Sequence, residues 1–223
     1  MGYDRRAMKR WTIGVVLFGV WAGFGSSSAA APKADIATTA WQLDIRFKDP
    51  QRITLRLPGD DFDTTFWYVL YDVTNRTGKD REFFPSFRIV TDALRVVEGG
   101  ADIHPKVYDH IKARHLQEFP FFATPAKVTG PLLQGEENSR SSAAVFRTFE
   151  QAASSFTLYI SGLSGESARV RNPSFDPKQP ESEDNPRAFY SRRTLAIKYD
   201  LPGDPQARLA AIPVRRSREW EMR

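Results

Sequence analysis

Apolar and polar residues alternate along much of the chain, which is the pattern of a β-strand with one buried face. Every second residue is apolar in the segment 41–48, WQLDIRFK, and again in the segment 53–57, ITLRL. The residues between them, DPQ at 49–51, are typical of a turn. The pattern therefore predicts two strands that pair as a hairpin within residues 41–57.

The segment 66–75, FWYVLYDVTN, is the strongest strand candidate, because both of its alternating faces are apolar over most of its length. A strand of this kind lies in the middle of a fold, where other elements cover it on two sides. The residues NRTG at 75–78 then favour a turn, in which Gly78 is free to adopt a positive φ. Alternation predicts further strands at 81–84, 87–91, 142–149, 156–160 and 194–201.

Residues 104–118 form the one segment with clear helical periodicity. Val107 and Ile111 are apolar at a spacing of four residues, and Pro105 suits the first helical position. Two segments rich in proline or glycine, 120–139 and 171–187, are predicted to be loops.

Seven or eight short strands and one helix predict a mostly β fold, an antiparallel immunoglobulin-like β-sandwich with one α-helix inserted at about 104–118. Strands and helices do not alternate, which argues against a Rossmann-like sheet. The predicted organisation has four parts: a signal or anchor helix at 1–30, a linker at 31–40, the β-sandwich domain at 41–207, and a solvated basic tail at 208–223.

The beginning of the chain has the order of a secretory signal peptide. Four basic residues within 1–10 precede the apolar segment 11–24, and small residues follow. The apolar segment is shorter than the roughly 20 residues that span a bilayer, so we expect cleavage near Ala30. An uncleaved membrane anchor is the alternative. The pair Arg5-Arg6 leaves open whether export follows the general or the twin-arginine route.

Charge and composition narrow the possible function classes. The chain has 32 basic and 27 acidic residues, and residues 1–31 hold four of the former and one of the latter. The remainder therefore has 28 basic and 26 acidic residues, a net charge of +2. This part of the chain lacks the strong excess of basic residues that is typical of nucleic-acid-binding proteins, so nucleic acid is not an expected partner. The absence of cysteine excludes disulfides, iron–sulfur clusters, zinc–thiolate sites and a cysteine nucleophile.

The sequence predicts neither a metal site nor a cofactor. The histidines cluster within 104–115, but His110 and His115 are five residues apart, whereas zinc-binding pairs on a helix favour a spacing of four. The run DDFD at 60–63 has the clustered oxygens that calcium prefers. It lacks the glycine and the distal glutamate of an EF-hand loop, so we expect a solvated turn.

Two other patterns have simpler structural explanations. The segment GLSGE at 162–166 is similar to a nucleophile elbow but lacks the G-x-S-x-G spacing and a following helix, so we expect a turn. Aromatic residues at 67–68, 83–84 and 121–122 offer a platform for sugar stacking. Aromatic side chains in strands more often belong to the core, and a carbohydrate-binding face is the alternative.

The loop 130–140, GPLLQGEENSR, is the best candidate for a binding surface, because functional groups of β-sandwiches tend to lie on such loops. In the alternative, its polar side chains cap backbone amides while the two leucines anchor the loop. Adjacent glutamates face opposite ways on an extended chain, which is poor geometry for a glycosidase pair. A distant partner such as Asp92 or Glu166 remains open, and no catalytic residue is predicted. The candidate binding residues are Gln134, Glu136, Glu137, Asn138 and Arg140.

Five longer motifs are distinctive: WYVLYDVTNRTG, FFPSFRIVTD, GPLLQGEENSRSSAAVF, LYISGLSGE and RRTLAIKYDLPGDP. Over roughly residues 41–223 they resemble a group of uncharacterised exported proteins of planctomycete bacteria. The N-x-T-G turn followed by an F-x-I-x-T-D strand also resembles small immunoglobulin-like domains of exported bacterial proteins. The resemblance implies export and an immunoglobulin-like fold, and it carries no catalytic residue onto this sequence.

These observations indicate an exported, non-enzymatic binding or structural module of the cell envelope. Its expected partner is an envelope protein or polymer, and a membrane is contacted only if the N-terminal segment stays uncleaved. A hydrolase acting on envelope polymer and a carbohydrate-binding domain are the alternatives. A hydrolase requires a cleft with two convergent carboxylates, whereas a binding module requires only an exposed patch or groove.

Overall fold

The computed structural model describes residues 35–37, 41–149 and 152–223, which belong to one compact unit, Pro32–Arg223. These residues form thirteen strands and three short helices, and every ladder between the strands is antiparallel. The predicted mostly β, antiparallel class is confirmed. The predicted signal segment 1–30 lies outside the described residues.

Seven of the described strands form the larger sheet: β1 (Asp35–Ala37), β6 (Ser86–Thr91), β7 (Val96–Glu98), β10 (Ser155–Ser161), β11 (Ser167–Arg171), β12 (Ala188–Asp200) and β13 (Val214–Met222). Their order is β1-β11-β12-β10-β6-β7, and β13 also pairs with β12. The predicted loop 171–187 is confirmed as an irregular connection between β11 and β12.

Four strands form the smaller sheet: β2 (Asp44–Phe47), β3 (Gln51–Leu55), β4 (Thr64–Asn75) and β9 (Gly135–Arg147). Strand β9 pairs with one edge of β4, while β2 and β3 lie end to end along the other edge. The predicted hairpin of β2 with β3 is therefore wrong.

The residues expected to form the hairpin turn instead interrupt an edge strand. The amide of Lys48 donates to the Leu70 carbonyl at 2.9 Å, so the ladder with β4 continues past the end of β2. The Asp49 carboxylate accepts from the Tyr199 hydroxyl and from Arg215 Nε, each at 2.8 Å. Asp49 and Pro50 thus act as an interruption at a sheet edge, where proline is tolerated.

The central strand β4 is buried on both faces, as predicted. One face packs against the larger sheet, where the Tyr71 and Phe87 rings are 4.8 Å apart between centroids. The other face packs beneath α1 (Pro105–Arg114), which contributes Val107 and Ile111 to a second core cluster. The helix begins at the predicted proline but ends four residues early, because His115 forms its C-cap.

Two other segments differ from the predictions. The segment 120–139 is not a continuous loop: it holds α2 (Pro125–Val128), β8 (Gly130–Leu132), which pairs with β5 (Arg81–Phe83), and the start of β9. Part of the predicted linker forms β1, which pairs with β11. None of the helices in the described ranges, including α3 (Pro205–Arg208), is long and apolar enough to cross a membrane.

The predicted solvated tail is also wrong, because most of it forms β13 at the edge of the larger sheet. Its arginines contact aromatic rings: the guanidinium carbon of Arg215 lies 5.0 Å from the centre of the Phe47 ring, and Arg218 lies 5.4 Å from it. Trp220 packs against the core between the sheets. This highly charged segment is therefore an edge strand, mostly exposed, on which Trp220 is partly buried.

Candidate anion-binding cleft

The candidate binding residues of the segment 130–140 do not converge on one site. The Gln134 Oε1 atom accepts from the Gly78 amide at 2.8 Å, and Asn138 Nδ2 donates to the Gln134 carbonyl at 2.7 Å. Arg140 Nη1 donates to the Val128 carbonyl at 2.9 Å. These three side chains hydrogen-bond to the backbone and fix the path of the chain between β8 and β9.

Glu136 and Glu137 instead line an open cavity of about 430 Å³, together with Asp72 and Glu118. Arg76 binds Glu136 and also binds Asp44, at 2.7 Å, so one guanidinium holds two carboxylates close together. We call this cavity the acidic cavity. Two more of its acids have partners: Lys48 pairs with Glu118, and Ser141 donates to Asp72.

The proposed distant partners of the glutamates lie elsewhere. Asp92 accepts from the amide of Ser154 at 2.9 Å and also from its hydroxyl. Although partial burial alone would raise the pKa of Asp92, the hydrogen bonds from Ser154 and Ser155 lower it overall. Glu166 pairs with Arg193 at 2.7 Å. Neither acid lines the acidic cavity.

The segment 162–166 forms a turn, as expected. Gly162 has a φ of 83°, and a side chain there would overlap the Phe84 carbonyl, so glycine is required. The hydroxyl of Ser164 donates to the Trp41 carbonyl at 3.0 Å. Its hydroxyl also accepts from the Glu166 amide at 3.1 Å, so among the described residues this serine bonds to the backbone of the turn and of Trp41.

The aromatic platform considered from the sequence is not assembled, because Trp67, Tyr68, Phe83 and Phe122 are buried in the core. Of the six residues, Phe84 and Phe121 are exposed.

A cleft of about 760 Å³ opens where the two sheets end, between β3, β4, β9 and the segment after β12. We call it the arginine cleft, because four arginines line it: Arg52, Arg95, Arg147 and Arg208. They come from β3, the β6–β7 connection, the last residue of β9 and the last residue of α3. Long cationic side chains suit these positions, since their stems cover apolar surface while their heads reach solvent.

The floor of the arginine cleft is aromatic. The Trp67 and Phe149 rings stack with their centroids 5.4 Å apart and their planes 11° apart. Arg52 lies directly opposite Trp67 in the register of β3 and β4, and its guanidinium carbon is 4.2 Å from the centre of a Trp67 ring. Burial lowers the pKa of Arg52, but an arginine guanidinium stays charged in proteins.

Three of the four guanidinium groups donate to backbone carbonyls. Arg52 donates to the carbonyls of Leu209 and Ala211, Arg147 donates to Asp102 at 3.0 Å, and Arg208 donates to Ala152 at 2.8 Å. Within the described ranges, no carboxylate forms an ion pair with any of these three.

Two further features bear on the charge of the cleft. The Nε of Arg208 is buried and has no hydrogen-bond partner among the residues that the structure describes. The one carboxylate on the described lining, Asp63, is bound by Arg56 at 3.0 Å. The cleft is therefore a positively charged recess over an aromatic floor.

Sequence reasoning missed these arginines, since they lie far apart along the chain and belong to no motif. Their one shared signal is position: Arg147 directly follows the buried run of β9, and Arg52 occupies a polar place in an alternating strand. In the part of the chain that the structure describes, no group of three or more His, Asp or Glu residues could hold a metal ion.

No protein family model, characterised protein or solved structure matches this chain. The geometry of the cleft therefore carries the functional argument.

Proposed function

We propose that this protein is an exported, non-enzymatic binding module whose arginine cleft binds an anionic ligand. The observation that carries the proposal is the set of three arginines, Arg52, Arg147 and Arg208, whose hydrogen bonds go to neutral carbonyls around an aromatic floor. Their charge is available to a ligand, because carboxylates of the described chain do not neutralise it.

Guanidinium groups favour carboxylate, sulfate and phosphate, because their planar set of donors can form two parallel hydrogen bonds. The attraction is stronger in a recess than on an open surface, since less water screens it. The cleft volume falls in the range of about 300–1,000 Å³ that is typical of small-ligand sites. The described lining offers no free carboxylate for general acid–base chemistry, which supports binding rather than catalysis.

Export and the finer fold assignment belong to the same proposal. The order of basic, apolar and small residues at the start of the chain supports a secretory signal. An exported protein meets the polymers of the cell envelope, and we propose that one of them supplies the ligand. Two antiparallel sheets that share one core support an immunoglobulin-like sandwich. The resemblance to exported bacterial proteins points the same way.

The binding proposal is tested by titrating the protein with glucuronate, a small carboxylate, and with glucose as its uncharged counterpart. NMR signals of the arginine Nε–H groups of the cleft should shift with glucuronate and not with glucose. The double variant Arg147→Gln, Arg208→Gln should weaken glucuronate binding about tenfold or more. Arg88→Gln is the matched control, because Arg88 pairs with Glu98 on the outer face of the larger sheet. Equal effects of the two variants, or no shift with either glucuronate or inorganic phosphate, would overturn the proposal.

Export is tested separately by fractionating cells that express the full chain and sequencing the N-terminus of the recovered protein. A new N-terminus near Ala31 in the periplasmic or secreted fraction supports export with cleavage. Recovery from the cytoplasm with Met1 intact contradicts it.

A hydrolase remains the second candidate, because the acidic cavity gathers Asp72, Glu118, Glu136 and Glu137. Ion pairs and solvent exposure weigh against it: the Glu136 side chain is 72% exposed and is bound by Arg76. A glycosidase instead holds two carboxyls on opposite sides of a bound sugar.

A further inference from the structure

The arginine cleft adjoins a second cavity, of about 780 Å³, with which it shares Thr64 and Arg147. We call this second cavity the aspartate groove, because Asp60, Asp61 and Asp102 line it. Arg147 connects the two cavities, since its Nη2 donates to the Asp102 carbonyl at 3.0 Å. A ligand long enough to reach past Arg147 from the cleft would therefore meet the groove.

The groove differs from the cleft in charge. Its three aspartates are exposed, and none of them forms an ion pair with another described residue. Carboxylates accept hydrogen bonds and cannot donate them, so they bind hydroxyl groups well and repel a second negative charge. An uncharged unit rich in hydroxyls therefore suits the groove better than an acidic one.

An aromatic side chain completes the groove. Phe62 lines it and is 80% exposed, so the face of its ring is open to a ligand. A sugar ring has one face of C–H groups, and packing this face on a phenyl ring removes apolar surface of both from water. Hydroxyls around the edge of the same sugar ring can then donate to the neighbouring aspartates.

We propose that the ligand is an oligosaccharide in which an acidic sugar occupies the arginine cleft and an adjoining uncharged sugar occupies the aspartate groove against Phe62. This inference rests on the proposed function and adds the class and the length of the ligand. Each cavity is of the size of one small-ligand site, so the pair fits a chain of several sugars better than a single anion.

The test measures calorimetric affinities of the full chain for three kinds of probe. Tetrasaccharides of hyaluronan, gellan and glucuronoxylan combine acidic and uncharged sugars, tetragalacturonate is charged on every unit, and glucuronate is the single acidic unit. At least one mixed tetrasaccharide should bind about tenfold more tightly than glucuronate. Tetragalacturonate should gain less, because its second charge faces the aspartates.

The variant Phe62→Ala should lower the affinity for that tetrasaccharide about fivefold and leave glucuronate binding unchanged. Both residues are exposed, so Phe189→Ala on β12 is the matched control and should change neither affinity. If glucuronate binds but no mixed tetrasaccharide binds more tightly, or if Phe62→Ala has no effect, this inference fails and the anion-binding function stands. If none of these sugars binds but inorganic phosphate does, this inference fails and the anion-binding function stands. If neither the sugars nor inorganic phosphate bind, the proposed function itself fails. If tetragalacturonate binds more tightly than every mixed tetrasaccharide, the claim that an uncharged sugar occupies the aspartate groove is wrong.

Discussion

The guanidinium group of Arg52 covers the indole ring of Trp67, with which it is paired across two antiparallel strands. The same group donates to the carbonyls of Leu209 and Ala211, which attaches the segment after α3 to the edge of the smaller sheet. One side chain therefore joins the C-terminal segment to the floor of the arginine cleft.

Replacing Arg52 with alanine should destabilise the protein by about 1–3 kcal/mol, because it removes a cation–π contact and two hydrogen bonds. Urea denaturation measures this change in the free energy of unfolding. Arg56→Ala is the control: Arg56 forms an exposed ion pair with Asp63, which is worth at most about 1 kcal/mol. Equal losses in the two variants would contradict the assigned role of Arg52.

Asn75 should be among the least replaceable polar residues. Its side chain is fully buried and donates to the carbonyls of Lys79 and Leu132 at 2.8 and 2.9 Å. Its Oδ1 accepts from the amide and the hydroxyl of Thr77. Asn75→Ala should cost about 2–4 kcal/mol in the free energy of unfolding, because four hydrogen bonds are lost and the buried Leu132 carbonyl is left without this partner.

Thermal and urea denaturation will show this loss. Asn138→Ala is the matched control, since Asn138 is only partly buried and binds one carbonyl closely. The Asn138 variant should lose less than about 1 kcal/mol. A comparable loss would mean that burial is not what makes Asn75 important.

His115 should make stability depend on pH. Burial lowers the pKa of His115 below its ordinary value of 6.5, and the charges of Lys48 and Arg114 lower it further against an opposing effect of Glu118. Below about pH 6.5 the unfolded chain therefore binds more protons at this residue than the folded protein, so stability falls as the pH is lowered. Above that pH this residue has no effect.

The measurement is the free energy of unfolding between roughly pH 5 and pH 7.5. His115→Gln should flatten the decline, because glutamine does not titrate and can still hydrogen-bond to the Tyr68 hydroxyl, now 2.9 Å from His115 Nε2. His110→Gln, on the exposed side of α1, is the control. An unchanged decline in the His115 variant would assign the pH dependence to other groups.

The acidic cavity should not take part in catalysis. We expect no release of reducing ends from purified peptidoglycan by the wild-type protein, and none by the variant Glu136→Gln, Glu137→Gln. The same variant should bind glucuronate within about twofold of wild type, because both glutamates lie outside the arginine cleft. Hydrolysis that disappears in the variant would establish the hydrolase alternative.

Local patterns were enough to predict individual elements. The double-faced pattern of β4 predicted a strand buried on both sides, and Pro105 with Val107 and Ile111 predicted α1. Pairing could not be predicted in the same way, because alternation identifies a strand and not its neighbour. This is why β2 and β3 were expected to pair with each other, although both pair with β4.

The candidate site was the least predictable feature. The polar residues after Leu133 form a compact cluster in the sequence and were predicted to form a binding surface. In the structure, Gln134, Asn138 and Arg140 mostly bind backbone groups. The cleft instead joins Arg52, Arg147 and Arg208, which meet only after both sheets have packed. A sequence pattern within one segment does not indicate which residues of distant segments become neighbours in the folded protein.

The double burial of β4 has a consequence for how the chain folds during synthesis. Strand β4 leaves the ribosome with two apolar faces, whereas α1 and β9, which cover one face and one edge, follow only from Pro105 and from Gly135. Until then the strand presents the kind of apolar, β-prone segment that associates with other chains. Productive folding therefore requires that this segment be shielded while the rest of the protein is still being made.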